Sequence, residues 1–264
     1  MWSPIRELVG ARALLRTLIW RELTVRYKRS ALGMVWALAE PAVLVLLYVL
    51  VFGHIFGAAA RQENYPVFVL LGLMPWIFFA STLEQAAGVL LEHAPLLRKV
   101  RFPWETLVFA VAVSRLTTLL VGLALSLAVA PALVPMQSLA WERLAYLPLG
   151  LAMLFTLTYG AALVVAALQT ILRDVAFLVR FVLRLAFYAC PIIYSLEMVP
   201  TGLQAAIAAN PLAGILWCFQ AASSRNLLHA SSPALAASLA TAAIAGLAGI
   251  ALFRRLRPLV ADLL

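Results

Sequence analysis

The sequence has few charged residues for its length. Asp, Glu, Lys and Arg make up 12% of its 264 residues and hydrophobic residues make up 65%, whereas soluble domains contain about 25% charged and about 45 to 50% apolar residues. This composition excludes a soluble globular protein. The apolar residues suffice for six membrane spans of about 20 residues each, with about 50 residues to spare. We therefore expect an integral membrane protein.

Sequence patterns of ATP-binding and hydrolytic enzymes are also missing. The chain contains no G-x-x-x-x-G-K-[ST], H-E-x-x-H or G-x-S-x-G pattern. Its two cysteines, Cys190 and Cys218, form no C-x-x-C pair, so we expect them to pack as small apolar residues. We expect no catalytic residue, metal or cofactor in this chain, and any ATP that drives it must bind another chain. A lipid-modifying membrane enzyme stays open as an alternative, without a visible active site.

Six apolar segments are each long enough to cross a bilayer as a helix. They extend over about Leu32 to Phe56, Val67 to Leu91, Thr106 to Leu133, Leu144 to Leu172, Val175 to Tyr194, and Leu235 to Phe253. Segments of this length, rich in Leu and Ala, predict an all-α membrane domain rather than a barrel. No linker or internal repeat divides the chain, so residues 1–264 are interpreted as one domain.

The net charge of +9 comes from basic residues that lie between the apolar segments. In that position they set the orientation in the bilayer, so we expect contacts with membrane lipids and no nucleic-acid partner. With the N-terminus inside, sixteen Lys and Arg residues lie at the cytoplasmic side, whereas only Arg61, Arg143 and Arg225 lie outside. Six spans then put both termini in the cytoplasm.

Residues 1–31 precede the first apolar segment and are rich in Arg. Leu8, Ala11, Leu15 and Leu18 recur at intervals of three and four, which predicts an amphipathic helix along the cytoplasmic interface. The alternative is a solvated basic lead-in that only sets the orientation.

A second connection, residues 92–103, is short and basic. Its polar residues and its first proline are Glu92, His93, Pro95, Arg98, Lys99 and Arg101. Their composition suits a short helix that docks on a partner, and equally an ordinary cytoplasmic loop.

The outer connection from Ser195 to Pro233 is long but far from polar. Two apolar runs within residues 200–228 are too short to span, which predicts two re-entrant or interfacial helices. Asn210 and Pro211 fit the cap and first turn of the second of these helices. The two helices either close the outer mouth of a pathway or merely cover the bundle.

Charged and aromatic residues inside the spans give weaker signals. Glu84 and Arg115 are opposite charges within neighbouring spans, and an ion pair between them would be structural or part of an ion-coupled pathway. Most aromatic residues suit interface belts and packing. A minority facing a pathway would stack on sugar rings.

Six motifs in order then resemble one known family, the type-2 ABC exporter permeases that move polysaccharides. They are Arg21 to Gly33 followed by Trp36 and Pro41, Gly72 to Trp76, Phe102 to Glu105, Leu172 to Asp174, Pro191 to Tyr194, and Asn210 with Pro211. The resemblance covers residues 20 to 211.

This resemblance implies a homodimer of permeases in the bacterial inner membrane, working with two copies of a separate ATPase that binds ATP and Mg. The cargo would be a lipid-linked glycan. O-antigen on undecaprenyl diphosphate is the expected cargo, with capsule or teichoic acid as alternatives, and an ion-coupled secondary transporter is the alternative outside the family. Residues 1–31 would form the interface helix, 92–103 the coupling helix and 200–228 the outer gate helices.

Site residues follow from the same resemblance together with the charge pattern. Arg173, Arg180 and Arg184 share roughly one helix face near the cytoplasmic start of span five, where they would attract a lipid diphosphate or simply snorkel to the interface. The other substrate-contacting candidates are Trp36, Phe52, Tyr159 and Tyr188. The ATPase-coupling candidates are Glu92, Pro95, Arg98, Lys99 and Arg101, and the outer-gate candidates are Tyr194, Asn210 and Pro211.

Overall fold

The computed structural model describes residues 15–21, 36–55, 57, 62–99, 102–227 and 232–263. All regular structure within these ranges is helical. We number the helices α1 (15–21), α2 (Trp36–Tyr48, continued by a π-helix over Val49–Ile55), α3 (Tyr65–Glu92), α4 (Ala94–Lys99), α5 (Glu105–Leu133), α6 (Leu147–Ile171), α7 (Val175–Ala189), α8 (Thr201–Ala208), α9 (Pro211–Gln220) and α10 (Ser232–Leu263). Single 3-10 turns lie over Met136–Ser138, Trp141–Tyr146, Leu196–Met198 and Ala221–Ser223.

Four stretches of the described chain are long and apolar enough to cross a membrane. They are Tyr65–Glu92, Glu105–Leu133, Trp141–Ile171 and Leu235–Leu263. The helices α8 and α9 meet at a bend of 93° and count as at most one further span. An all-helical membrane domain is thereby confirmed, whereas the count of six spans stays a prediction, because α7 has only 15 residues and a span needs about 20.

The long helices α3, α5, α6 and α10 give the bundle two chemically different ends. One end, which we call the basic end, carries Arg98 and Lys99 of α4, Arg173 before α7, and Arg254 and Arg257 of α10. The other, the far end, carries the start of α3, the 3-10 turns before α6 and the end of α9. Which of the two ends faces the cytoplasm stays a prediction.

Helix α3 occupies the centre of the bundle. Its neighbours are α2, α5, α6, α7 and α9, and most of its residues are buried. A large hydrophobic cluster fills the far two thirds of the bundle around it. A second cluster at the basic end joins α3, α5, α6 and α10 to Leu18 of α1 and Leu97 of α4.

Helices α6 and α10 cross at glycines, so their backbones touch. A Cβ atom on Gly160 would lie 2.7 Å from the Cα of Gly246, and one on Gly249 would lie 2.6 Å from the Cα of Gly160. Real Cβ atoms do not approach backbone this closely. Small residues at a crossing allow close packing of membrane helices without any hydrophobic driving force.

The predicted ion pair between Glu84 and Arg115 is wrong. Arg115 donates from Nε to Oε1 of Gln85 at 2.8 Å, and the ion pairs found among the described residues are Arg225 with Glu142 and Arg254 with Glu105. Gln85 follows Glu84 on α3. The Gln85 side chain faces α5, whereas the Glu84 side chain is exposed.

Replacing Gly160 with Ala should destabilise the fold. The added methyl group meets backbone rather than a side chain that can move, and overpacking of this kind costs about 1 to 3 kcal/mol. We expect a lower midpoint of thermal unfolding for the purified protein in detergent. Gly202→Ala on α8 is the matched control, because a Cβ atom there meets nothing within 4 Å; equal midpoints for the two variants would contradict the crossing.

Candidate functional site

Three arginines lie in the turn before α7 and along the middle third of the helix. Arg173 is exposed in the turn before α7, and Arg180 and Arg184 are exposed along the helix. The turn is held by Gln169, which donates from Nε2 to the Arg173 carbonyl at 2.9 Å and accepts from the Ala176 N–H at 2.5 Å. All three predicted arginines are exposed, and their role in binding a diphosphate stays a prediction.

Helix α7 leaves most of its surface uncovered. Only Val175, Leu183 and Phe187 are buried, and the large apolar residues exposed along it are Phe177, Leu178, Phe181, Val182, Leu185 and Tyr188. The Arg180 guanidinium lies 4.8 Å from the centre of the Phe177 ring. A surface that mixes arginines with aromatic rings is unsuited to lipid tails, because charged side chains in membranes face a protein or a water-filled cavity.

Two of the predicted sugar-contacting residues belong to one aromatic cluster between α2, α3 and α7. The ring of Phe52 lies 6.0 Å from that of Tyr48, Tyr48 lies 5.7 Å from Phe187, and Phe187 lies 5.3 Å from Tyr188. Trp76 of α3 also contacts Phe187, at 5.7 Å. This cluster lies beyond the arginines, toward the far end of α7.

The other two predicted residues lie elsewhere. Tyr159 stacks within a separate cluster, 5.6 Å from the Phe109 ring and 6.1 Å from the Phe155 ring. Its hydroxyl donates to the Glu105 carbonyl at 3.5 Å. Trp36 begins α2, and its side chain lies outside the described part of the chain.

After α7 the chain leaves the helix over Pro191 to Tyr194 while remaining buried. The amide of Gln220, at the end of α9, donates to the carbonyls of Pro191 and Ile192, each at 3.2 Å. The Tyr65 hydroxyl, at the start of α3, donates to the Ile193 carbonyl at 2.7 Å. Non-helical backbone at membrane depth is tolerated only where protein or water satisfies its polar groups, and here two side chains do so.

Gly72 of α3 makes room for this arrangement. A Cβ atom at Gly72 would overlap the Gln220 amide nitrogen and lie 3.1 Å from the Ile192 carbonyl oxygen. The motif that begins at Gly72 therefore packs directly against the motif that begins at Pro191. Sequence reasoning found both motifs and missed Gln220, which no pattern distinguishes from other glutamines.

The two helices predicted in the outer connection exist, and they differ in environment. The Asn210 side chain accepts from the Leu212 N–H at 3.0 Å and so caps α9, with Pro211 in its first turn, as predicted. Every residue from Leu212 to Gln220 is buried, whereas α8 buries none. Helix α9 is therefore part of the bundle interior, and only α8 lies on the surface. Tyr194 lies between these helices and α7, where its hydroxyl donates to the Tyr188 carbonyl at 3.0 Å.

A network of polar contacts at the far end ties three connections together. Arg143, predicted only as an outside charge, is buried and donates to the carbonyls of Ser224, Arg225 and Leu227 at 2.9 to 3.1 Å. Glu63 accepts from the Ser224 hydroxyl at 2.6 Å. The chain segment that follows α9 is thus held to the beginnings of α3 and α6.

At the basic end, α4 is attached on one side only. Leu97 is buried in the basic-end cluster, together with Leu18 of α1. Glu92, Pro95, Arg98 and Lys99 are exposed, and Arg101 lies outside the described residues. The predicted coupling residues therefore share an uncovered surface that a second protein can contact. Of the predicted interface helix, the structure describes residues 15–21.

Glu105 connects this end of α5 to α10. Its side chain is 10% exposed, and Oε1 lies 3.5 Å from Nε of Arg254. The Arg257 guanidinium lies 5.4 Å from the Trp104 ring centre. The motif Phe102 to Glu105 therefore docks the start of α5 on the last helix.

Neither cysteine takes part in a disulfide or metal centre. Cys190 and Cys218 are free and buried, as predicted, and Cys190 Sγ accepts from the Asn210 amide at 3.3 Å. In the part of the chain that the structure describes, no three His, Cys, Asp or Glu side chains come together.

Comparison with known proteins gives a consistent set of relatives. The ABC-2 type transporter family matches residues 13–222. An O-antigen export system permease protein RfbA of Myxococcus xanthus is 31% identical over 88% of both chains. A protein of the same name from Klebsiella pneumoniae is 26% identical over 92% of both chains. The polysialic acid transport protein KpsM of Escherichia coli is 33% identical over 28% of both chains.

Replacing Gln220 with Leu should destabilise the connection after α7. The two carbonyls of Pro191 and Ile192 lose their donor inside the protein, and an unsatisfied buried polar group costs about 1 to 3 kcal/mol. We expect a lower thermal midpoint, a similar loss for Gly72→Ala, and little further loss when the two changes are combined.

Gln204→Leu is the matched control for this prediction. Gln204 also donates to a carbonyl, that of Val199 at 2.9 Å, but it lies on the exposed helix α8. If Gln204→Leu lowers the thermal midpoint as much as Gln220→Leu does, the proposed contact is not what stabilises the connection.

Proposed function

The chain belongs to the ABC-2 type transporter family, and on that premise we propose that it is the membrane permease of an ATP-driven exporter of lipid-linked polysaccharide. The observation that carries this proposal is the similarity to O-antigen export permeases over nearly the whole of both chains. A permease moves its cargo without transforming it, so the chain itself has no enzymatic role. ATP and Mg bind the partner ATPase.

The same comparisons support the cargo class that we propose. The similarity to the polysialic acid transporter is confined to a quarter of the chain, which favours O-antigen over capsule. We propose a glycan on undecaprenyl diphosphate as the substrate. The working assembly is a homodimer in the bacterial inner membrane, with two copies of the ATPase. The basic end faces the cytoplasm, which is where basic residues accumulate, and both termini lie there.

Helix α4 transmits the ATPase movement. Its exposed residues Glu92, Pro95, Arg98 and Lys99, with Arg101 after it, contact the ATPase, while Leu97 holds the helix to the basic-end cluster. Closure of the two ATPase subunits pushes on α4, and this movement opens a tunnel between the two permeases. Residues 1–31 lie along the cytoplasmic surface as the interface helix.

Helix α7 lines the tunnel in this proposal. Arg173, Arg180 and Arg184 meet the lipid diphosphate at the cytoplasmic side, because one guanidinium group can donate two parallel hydrogen bonds to the oxygens of a phosphate. Phe52 and Tyr188 then offer ring faces to the sugars nearer the outer side, and Trp36 and Tyr159 remain candidates for the same role. The helices α8 and α9, with Tyr194, Asn210 and Pro211, form the outer gate.

Contact between α4 and the ATPase is directly testable by cross-linking. We expect single-cysteine variants at Arg98 or Lys99 to form cross-links with the ATPase subunit in membranes, and the yield to change when ATP is added. Glu142→Cys at the far end is the control and should give none. A chain that exports glycan but never cross-links from α4 would contradict the coupling role.

Export itself is measured in a bacterial strain from which this gene has been removed. The wild-type chain should restore glycan at the cell surface, and restoration should fail when the ATPase is inactive. Restoration that depends on an ion gradient but not on ATP would identify a secondary transporter instead.

In that strain, the double variant Arg180→Gln, Arg184→Gln should export at least about tenfold less glycan, because each charge-assisted contact is worth about 1.5 to 3 kcal/mol. The exposed Arg255→Gln at the basic end is the matched control. Normal export by the double variant at normal membrane abundance means that these arginines only anchor the helix at the interface.

A further inference from the structure

Between Ser81 and Leu90, near the basic end, the open side of α3 carries no apolar side chain, and Leu91, 39% exposed, is the first apolar residue beyond this stretch. Of the ten residues from Ser81 to Leu90, six are buried and four are not. The four uncovered residues are Ser81, Glu84, Gln85 and Gly88. Their spacing of three and four places them on one side of the helix. We call them the polar face of α3.

The open side of α10 is the opposite in character. Its exposed positions between Ala236 and Leu252 are all Ala, Leu or Ile, as expected of a surface that meets lipid tails. The one polar residue among its half-buried positions, Thr241, donates to the Ala237 carbonyl of its own helix at 2.7 Å. The two helices belong to one bundle and cross the same membrane. The polar face of α3 therefore reflects a different neighbour and not a general lack of apolar residues.

Glu84 lies inside the candidate membrane span Tyr65–Glu92 and not at its end. It precedes Glu92, the last residue of α3, by eight residues, which is about 12 Å along a helix. It is exposed, and neither of the two ion pairs found among the described residues includes it. A carboxylate at this depth facing lipid costs several kcal/mol, so such residues face protein or water.

The polar face continues sideways onto α5. Gln85 accepts from Nε of Arg115 at 2.8 Å, so one amide and one guanidinium extend the same surface across two helices. The packing of apolar side chains does not explain why a Gln and an Arg form a hydrogen bond at this position.

We infer that the polar face of α3 lines the cytoplasmic half of the translocation tunnel and receives the hydroxyl groups of the passing glycan at Glu84. This inference rests on the proposed function. A carboxylate accepts hydrogen bonds and donates none, which suits a sugar chain whose hydroxyls are donors. Ser81 and Gln85 add weaker, exchangeable contacts, so the surface holds water and sugar alike without one fixed binding site.

The inference predicts that a cysteine at position 84 is in contact with water. A charged, membrane-impermeant thiosulfonate, added to inside-out membrane vesicles, should label Glu84→Cys at least about tenfold faster than Leu247→Cys, because the thiolate that reacts forms in water. Leu247 is the matched control, since it is 72% exposed on α10 and precedes Arg254 by seven residues. Cys190 and Cys218 are buried, so the unsubstituted chain is the blank.

Two results would overturn the inference. If only a lipid-soluble maleimide labels position 84, the polar face meets lipid. If position 84 resists both reagents and oxidises to a disulfide with the second copy, the face is a subunit contact. Protection of position 84 from labelling when the lipid-linked glycan accumulates would support it further.

Export by substituted chains separates this inference from the proposed function. Glu84→Leu should lower glycan export several-fold at normal abundance, and Glu84→Gln, which keeps an acceptor oxygen, should lower it less. If the wild-type chain exports glycan and Glu84→Leu exports as much, only the tunnel-lining role fails. If the wild-type chain exports none, the proposed function itself fails.

Discussion

Backbone polar groups inside a membrane protein must be satisfied within the protein, and this constraint explains the least regular part of the chain. A helix meets the requirement by itself. The stretch from Pro191 to Tyr194 does not, and its carbonyls depend on Gln220 and Tyr65. These donors come from the end of α9 and the start of α3. The non-helical stretch after α7 and the buried helix α9 are therefore stabilised by the same contacts.

The same requirement governs the charged residues. Arg143 is buried, and three carbonyls at the far end accept hydrogen bonds from its guanidinium. These bonds hold the chain that follows α9 to the start of α6. Arg180 and Glu84 are exposed on the isolated chain, each within a mostly apolar region. A buried charge with hydrogen-bond partners, such as Arg143, stabilises the fold of the single chain. An exposed charge within a candidate span, such as Glu84, indicates contact with water or with a second protein.

Sequence reasoning succeeded where the physical cause is local. The Asn210 cap, the two short outer helices and the helical class follow from residues close together in the chain. It failed for Glu84 and Arg115, because spacing along two helices does not fix their rotation about their axes. Gln169, Gln220 and Arg143 were missed for another reason: their acceptors are backbone carbonyls, which every residue has, so no pattern marks the partner. The six-span count stays a prediction because α7 has only 15 residues, fewer than the about 20 that a span needs.

The glycine crossing of α6 and α10 has a mechanical consequence. Where the backbone of Gly160 touches that of Gly246 and Gly249, no side chain lies between the two helices to absorb strain by a change of rotamer, so the crossing is stiff. The basic end of α10 is joined through Arg254 to Glu105, next to the connection that includes α4. Under the proposed function, a push delivered at that point would travel along α10 to the far end, where the segment that follows α9 is fastened.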